Sequence, residues 1–147
     1  MDFHSIMVHI HSGLRWIVLL FILLTIVHAA VKLIRKDYAS DRNCYSTRLS
    51  MTFMHLQLII GLILYFISPK VIFSGSSMSD PILRFFLVEH ISLMLIAVVL
   101  ITVGYVKTKK IEGVKKYRTI LIYYVISLLL ILASIPWPFR DLGGKWF

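Results

Sequence analysis

Four long apolar segments constrain the fold of this chain more than any other feature of its sequence. Each segment is close to the ~20 residues that a helix needs to cross a ~30 Å hydrocarbon layer. They occupy about residues 14–34, 49–67, 83–106 and 119–137. Hydrophobic residues make up 59% of the chain, whereas a soluble domain averages about 45–50% apolar residues. A backbone in lipid must satisfy its hydrogen bonds internally, so the segments are expected to be helices.

The sequence therefore predicts an all-α integral membrane protein. Short connections make consecutive helices antiparallel neighbours, so we expect an up-down-up-down four-helix bundle. No low-complexity tract or internal repeat divides the chain, and we interpret residues 1–147 as one domain. The predicted helices cover about residues 10–35, 48–68, 82–106 and 118–137.

The basic residues predict how the chain is oriented in the membrane. The formal net charge is +9, and eleven of the sixteen Lys and Arg residues lie in two connections. They are Lys32, Arg35, Lys36, Arg42, Arg48, Lys107, Lys109, Lys110, Lys115, Lys116 and Arg118. The positive-inside rule places both connections in the cytoplasm and both termini on the outer, periplasmic side of a bacterial inner membrane. This distribution argues against nucleic acid as a partner, although a basic patch for anionic lipid fits it as well.

Six histidines carry most of the chemistry that the sequence offers, and none lies in a basic connection. From a helical rise of ~1.5 Å per residue, His28 and His55 lie at similar depths near the inner boundary. His9, His11 and His90 lie toward the outer boundary, and His90 is roughly 11 Å from His55 along the membrane normal. The depths thus predict an outer cluster of three histidines and an inner pair.

Ionisable side chains within membrane spans are candidates for function. Histidines on facing helices of a bundle are suited to bis-imidazole ligation of haem b, of which the protein could hold one or two. His55 and His90 are the strongest candidate ligands, each with a different partner drawn from His11, His9 and then His28. No C-x-x-C-H haem attachment motif is present, since Cys44 is the single cysteine and is expected to be an ordinary reduced thiol.

Three neighbours of these histidines have predicted roles. Arg15 lies four residues after His11, on the same helix face, and can neutralise a haem propionate. Glu89 precedes His90 and can pair with Arg15, orient His90, or accept a proton from a quinol. Gln57 follows His55 on the same helix and is a further candidate cofactor-binding residue.

Two other classes of function fit the same residues. His9, His11 and His90 could hold copper or zinc at the outer surface, provided that the start of the chain is extended, because alternate residues of a helix point to different sides. The chain could also be a non-catalytic accessory or assembly subunit of a larger membrane complex or homo-oligomer, with its histidines forming hydrogen bonds between helices. In that case His28, close to Lys32, would simply reach the headgroups.

The segments HIHSGLRW, HLQLIIGLILYFISPK, RFFLVEH and IPWPFRDLGGKWF together resemble a known family. It is a family of small four-helix membrane proteins of Bacteroidetes-type bacteria that is labelled "cytochrome B". The resemblance covers nearly the whole chain, and it implies a haem-containing membrane protein. From the residues we expect this protein to transfer electrons, with quinone as a partner. The residues at the family's motif positions are His9, His11, Arg15, His55, Gln57, Glu89 and His90.

Overall fold

The computed structural model describes residues 2–38 and 45–144, and these residues form four long helices with no strand. All four helices are long and apolar enough to cross a membrane, which confirms the predicted all-α class. Arg42 and Cys44, which the sequence places in the first connection, lie outside the described residues. The helices are α1 (Phe3–Arg35), α2 (Tyr45–Ile67), α3 (Pro81–Thr108) and α4 (Gly113–Ser134).

The first helix begins earlier than the predicted residue 10 because the chain supplies its own N-cap. The Asp2 carboxylate accepts a hydrogen bond from the Ser5 backbone N–H at 3.1 Å, which satisfies one of the unpaired donors of the first turn. His9 and His11 are therefore both helical. The extended start that a shared His9–His11 metal site requires is absent from this part of the chain.

Helix α3 begins at a proline and contains a π-turn. Asp80 caps it by accepting from the N–H groups of Ile82 and Leu83, and Pro81 occupies the first turn, where its missing N–H has no cost. The backbone then widens into a π-turn over Phe85–Glu89 before it returns to α-helix at His90. At the other end of the chain, α4 stops at Ser134, and the following Ile135 is extended, as expected for a residue before a proline.

The four helices pack in a ring in which α1 and α3 each contact both α2 and α4. The centre contains fully buried apolar side chains, among them Ile22, Ile101 and Ile120. Large apolar side chains also cover the outside of the bundle, since Leu129 is 61% exposed and Val99 is 58% exposed. Apolar side chains on both the inside and the outside are what a bundle surrounded by lipid requires.

Small polar side chains join the helices in the interior. The hydroxyls of Thr25 on α1 and Ser50 on α2 meet at 2.9 Å, and both side chains are fully buried. The buried Tyr124 hydroxyl donates to the Thr47 backbone oxygen at 3.1 Å, which joins α4 to α2. Such hydrogen bonds, together with close packing, hold helices together where the surroundings are as apolar as the helices themselves.

Helix α3 approaches α4 closely at Gly104, and this contact can be tested. A Cβ at Gly104 would lie 2.8 Å from the Cβ of Tyr123, so α3 and α4 would have to move apart. We expect Gly104→Ala to lower the free energy of unfolding by about 1–3 kcal/mol, as overpacking does. The matched control is Gly13→Ala on α1, where no atom lies within 4 Å of the added Cβ.

Unfolding in detergent, followed by circular dichroism, measures both variants. Gly13→Ala is expected to leave stability unchanged or to raise it by up to about 1 kcal/mol, because alanine favours a helix over glycine. Equal effects of the two substitutions would contradict the close α3–α4 approach.

Candidate functional site

A cavity of about 400 Å³ opens between the helices at one end of the bundle. This volume falls within the ~300–1,000 Å³ that is typical of small-molecule and cofactor sites. Its polar side chains include His11, Arg15, Gln57 and His90, and its deeper wall is apolar. The described lining residues include no Asp or Glu. The cavity thus combines an apolar interior with basic and neutral polar groups.

His90 is fixed by a backbone carbonyl of the neighbouring helix. Its Nδ1 lies 2.7 Å from the backbone oxygen of Ser134 at the end of α4. A carbonyl oxygen only accepts, so Nδ1 carries the hydrogen, and the lone pair of the neutral ring is on Nε2. A metal-ligating histidine is typically held in this way, with its other nitrogen donating to a carbonyl or carboxylate.

The π-turn determines where the His90 side chain emerges. The His90 backbone N–H donates to the Phe85 oxygen, five residues earlier, instead of to the residue four positions earlier. The inserted residue rotates the helix after it, and π-turns of this kind are frequent at functional sites. The ring of buried Phe85 lies 5.9 Å from the His90 ring and supports it from one side.

His11 lies beside His90 in the cavity. The two ring centres are 6.3 Å apart, and the ring planes are inclined by 69°. The His11 Nδ1 is buried and has no hydrogen-bond partner among the described residues. The ring rests on Gly61 of α2, where an added Cβ would lie 3.1 Å from the His11 Cε1. The structure thus brings together two of the three histidines of the predicted outer cluster.

Two cations line the same cavity. Arg15 lies there as predicted from its position four residues after His11. Lys70, from the connection between α2 and α3, lies there too, and its ammonium donates to the Gly143 oxygen at 3.0 Å. Both side chains can face an anionic group at the cavity.

His55 lies outside this cavity and has a different partner. Its Nδ1 donates to the Met51 backbone oxygen at 2.8 Å, and its Nε2 lies 3.4 Å from the Thr102 hydroxyl. Thr102 is twelve residues after His90 on α3, a separation of about 18 Å along the helix. His55 and His90 therefore cannot bind one metal ion together, in agreement with the depths estimated from the sequence.

The predicted inner pair of His28 and His55 is not brought together. The His28 ring lies 6.3 Å from the ring of Tyr117 on α4, whereas His55 contacts α3. His9 lines the edge of the cavity, but it is exposed and its Nδ1 donates to the Ser5 backbone oxygen at 2.7 Å within α1. The ring beside His90 is therefore that of His11, and not that of His9 or His28.

Glu89 does not form the predicted pair with Arg15. Its carboxylate accepts from the Arg84 guanidinium at 2.9 Å, across the π-turn, and both side chains are partly exposed. Gln57 does reach the site, since its side chain is 8% exposed and its amide nitrogen donates to the His11 backbone oxygen at 2.9 Å. Glu89 and His90 meet different surroundings because adjacent residues of a helix point about 100° apart.

Sequence reasoning missed two groups of this site. The Ser134 carbonyl is a backbone group, and no sequence pattern identifies which carbonyl a distant histidine will contact. Lys70 could have been noticed as the one basic residue between the second and third predicted helices, in the segment SPKVIF. Its approach to the cavity depends on the fold of the segment that follows α4, to which it is bonded.

No protein-family model, curated protein or solved structure matches this chain. Within residues 2–38 and 45–144, no group of three or more His, Cys, Asp or Glu side chains is placed to hold a metal ion. The function of the site therefore has to be inferred from its own geometry, in which two imidazoles face one cavity.

The contact between Gly61 and His11 can be tested without any ligand. In Gly61→Ala, the added Cβ meets the edge of an imidazole that borders open cavity space. The ring can turn into that space, so we expect the free energy of unfolding to fall by less than about 1 kcal/mol, clearly below the cost at Gly104. Detergent unfolding of both glycine variants measures this difference. An equal loss at Gly61 would show that His11 is held rigidly.

Proposed function

We propose that this chain is a membrane protein that binds haem b, which His11 and His90 would hold through their imidazoles. The separation of their rings carries the proposal. Two imidazoles that hold one metal through bonds of about 2 Å would have ring centres up to roughly 6 Å apart. The observed distance between the ring centres is 6.3 Å.

The residues around the two imidazoles fit such a group. The hydrogen bond from His90 to Ser134 leaves Nε2 free for a metal, and the apolar wall, which includes Val18 and Met94, suits a porphyrin ring. Arg15 and Lys70 would hold the propionates, since a carboxylate is stabilised by charge-assisted hydrogen bonds from cations. His55, which pairs with Thr102, has no ligand role in this proposal.

Haem would supply one-electron chemistry, and the chain would hold and orient it in a low-dielectric site. We assign the protein to electron transfer in a bacterial inner membrane, with quinone as the membrane-soluble partner. The bundle would be up-down-up-down with both termini on the outer side, so that the cavity opens near the outer surface. Three hydrogen bonds support this arrangement: the early part of α1 and the early part of α3 each bond to the later half of α2, and the early part of α3 bonds to the end of α4. The basic residues of the first and third connections support the orientation. We also propose that the chain belongs to the small "cytochrome B" family that its sequence segments resemble.

Absorption spectroscopy of the detergent-purified protein tests the ligand assignment. We expect sharp reduced α and β bands of six-coordinate haem b, with one haem per chain in a pyridine haemochrome assay. His11→Ala and His90→Ala are expected to abolish the six-coordinate spectrum, because each removes one axial ligand. His9→Ala and His55→Ala are the matched controls and should leave it unchanged.

A featureless spectrum from protein expressed with ample haem would overturn the proposal. Stoichiometric copper or zinc in that protein would point instead to a small metal site. Protein that contains neither haem nor metal would favour an accessory subunit.

The two cations at the cavity predict that the propionate carboxylates of haem raise its affinity for the protein. Charge-assisted hydrogen bonds contribute about 1.5–3 kcal/mol each, so Arg15→Met should weaken haem binding about tenfold or more. Lys70→Met should have a similar effect. Titration of unloaded protein with haem and with its dimethyl ester, which has no carboxylates, measures the effect. The affinity of the two variants for the ester should equal that of the unmodified protein. An equal loss of affinity for haem and for the ester would exclude a charge effect.

A further inference from the structure

Gln57 is buried against His11, and its amide is only half satisfied. The side chain is 8% exposed and lines the cavity, and its Nε2 donates to the His11 backbone oxygen at 2.9 Å. Its Oε1 is buried and has no partner among the described residues. A buried acceptor without a donor is costly, and such an atom in a cavity indicates a partner that arrives with a ligand or with a rearranged side chain.

The missing donor is present on the same neighbouring residue. The His11 Nδ1 is also buried, and it has no hydrogen-bond partner within the described part of the chain. An amide oxygen accepts and an imidazole N–H donates, so the two unsatisfied atoms are chemically complementary. The bond from Gln57 to the His11 backbone already anchors the amide beside this imidazole.

Gly61 provides the space that this contact requires. It lies four residues after Gln57 and so on the same face of α2. A Cβ at Gly61 would lie 3.7 Å from the His11 Nδ1 and 3.1 Å from Cε1. The absence of a side chain therefore lets the edge of the imidazole, including Nδ1, approach α2 closely on the helix face that carries Gln57.

We propose that Gln57 is the positioning residue of His11, whose Nδ1–H it accepts when Nε2 is bound to metal. This inference rests on the proposed function. Gln57 would then do for His11 what the Ser134 carbonyl already does for His90. Both imidazoles would have a hydrogen on Nδ1 and a lone pair on Nε2 directed into the cavity. A partner of this kind fixes the orientation of the ring and raises its basicity as a ligand.

Substitution of Gln57 separates this role from simple packing. Gln57→Leu removes the acceptor and keeps the side-chain size, and it should lower haem affinity about 10- to 100-fold, the usual effect of removing such a partner. The reduction potential of haem bound to this variant should rise, because a less basic imidazole stabilises the oxidised iron less. Gln57→Glu offers a stronger acceptor and should shift the potential in the opposite direction. Ile59→Leu, an apolar change on the exposed outer side of α2 and away from the cavity lining, is the control and should change neither quantity.

A second readout concerns His11 itself. In the reduced, diamagnetic protein with ¹⁵N-labelled histidine, the His11 Nδ1–H should exchange slowly with water and should exchange much faster in Gln57→Leu. Unchanged exchange, affinity and potential in Gln57→Leu, with haem bound, would overturn this inference and leave the proposed function standing. If the unmodified protein binds no haem, both fall. If Gln57→Glu does not fold, the leucine variant decides alone.

Discussion

The absence of water from the hydrocarbon layer is the constraint on which the rest of this structure depends. Every backbone group in a span must bond within the chain, so the four apolar segments form helices. The same constraint acts on polar side chains, which find partners in the bundle interior. The buried hydroxyl pair of Thr25 and Ser50 and the bond from Tyr124 to Thr47 are consequences of this requirement.

The candidate site follows from the same constraint, applied to larger polar groups. His90 finds a backbone carbonyl at the end of α4, where helix termini leave oxygens without intrahelical partners. Gln57 finds the backbone oxygen of His11. Two buried polar atoms, Gln57 Oε1 and His11 Nδ1, have no hydrogen-bond partner in residues 2–38 and 45–144, and both belong to residues that line one cavity. Unsatisfied polar atoms in a low-dielectric site are an argument for a ligand, because leaving such an atom without a partner is costly there.

The structure also divides the histidines into two groups with different surroundings. His11 and His90 share a cavity with two cations. His55 and His28 each contact a side chain of one neighbouring helix, Thr102 and Tyr117 respectively. Histidines at similar depths in a membrane are therefore not equivalent, since the face of the helix decides whether a ring meets a cavity or a packed neighbour.

The sequence by itself determined the all-α class, the number of helices and their approximate positions, because length and hydrophobicity alone decide what can cross a bilayer. It also indicated that His11, Arg15 and His90 belong to one end of the protein, since depth follows from helical rise. It could not determine which residues meet, because contacts depend on helix rotation, and one π-turn is enough to change the rotation after it. The tertiary structure alone decided that Glu89 pairs with Arg84, that His55 contacts Thr102, and that Ser134 and Lys70 join the site. These contacts arise from the packing of segments far apart in sequence, for which apolar periodicity carries no information.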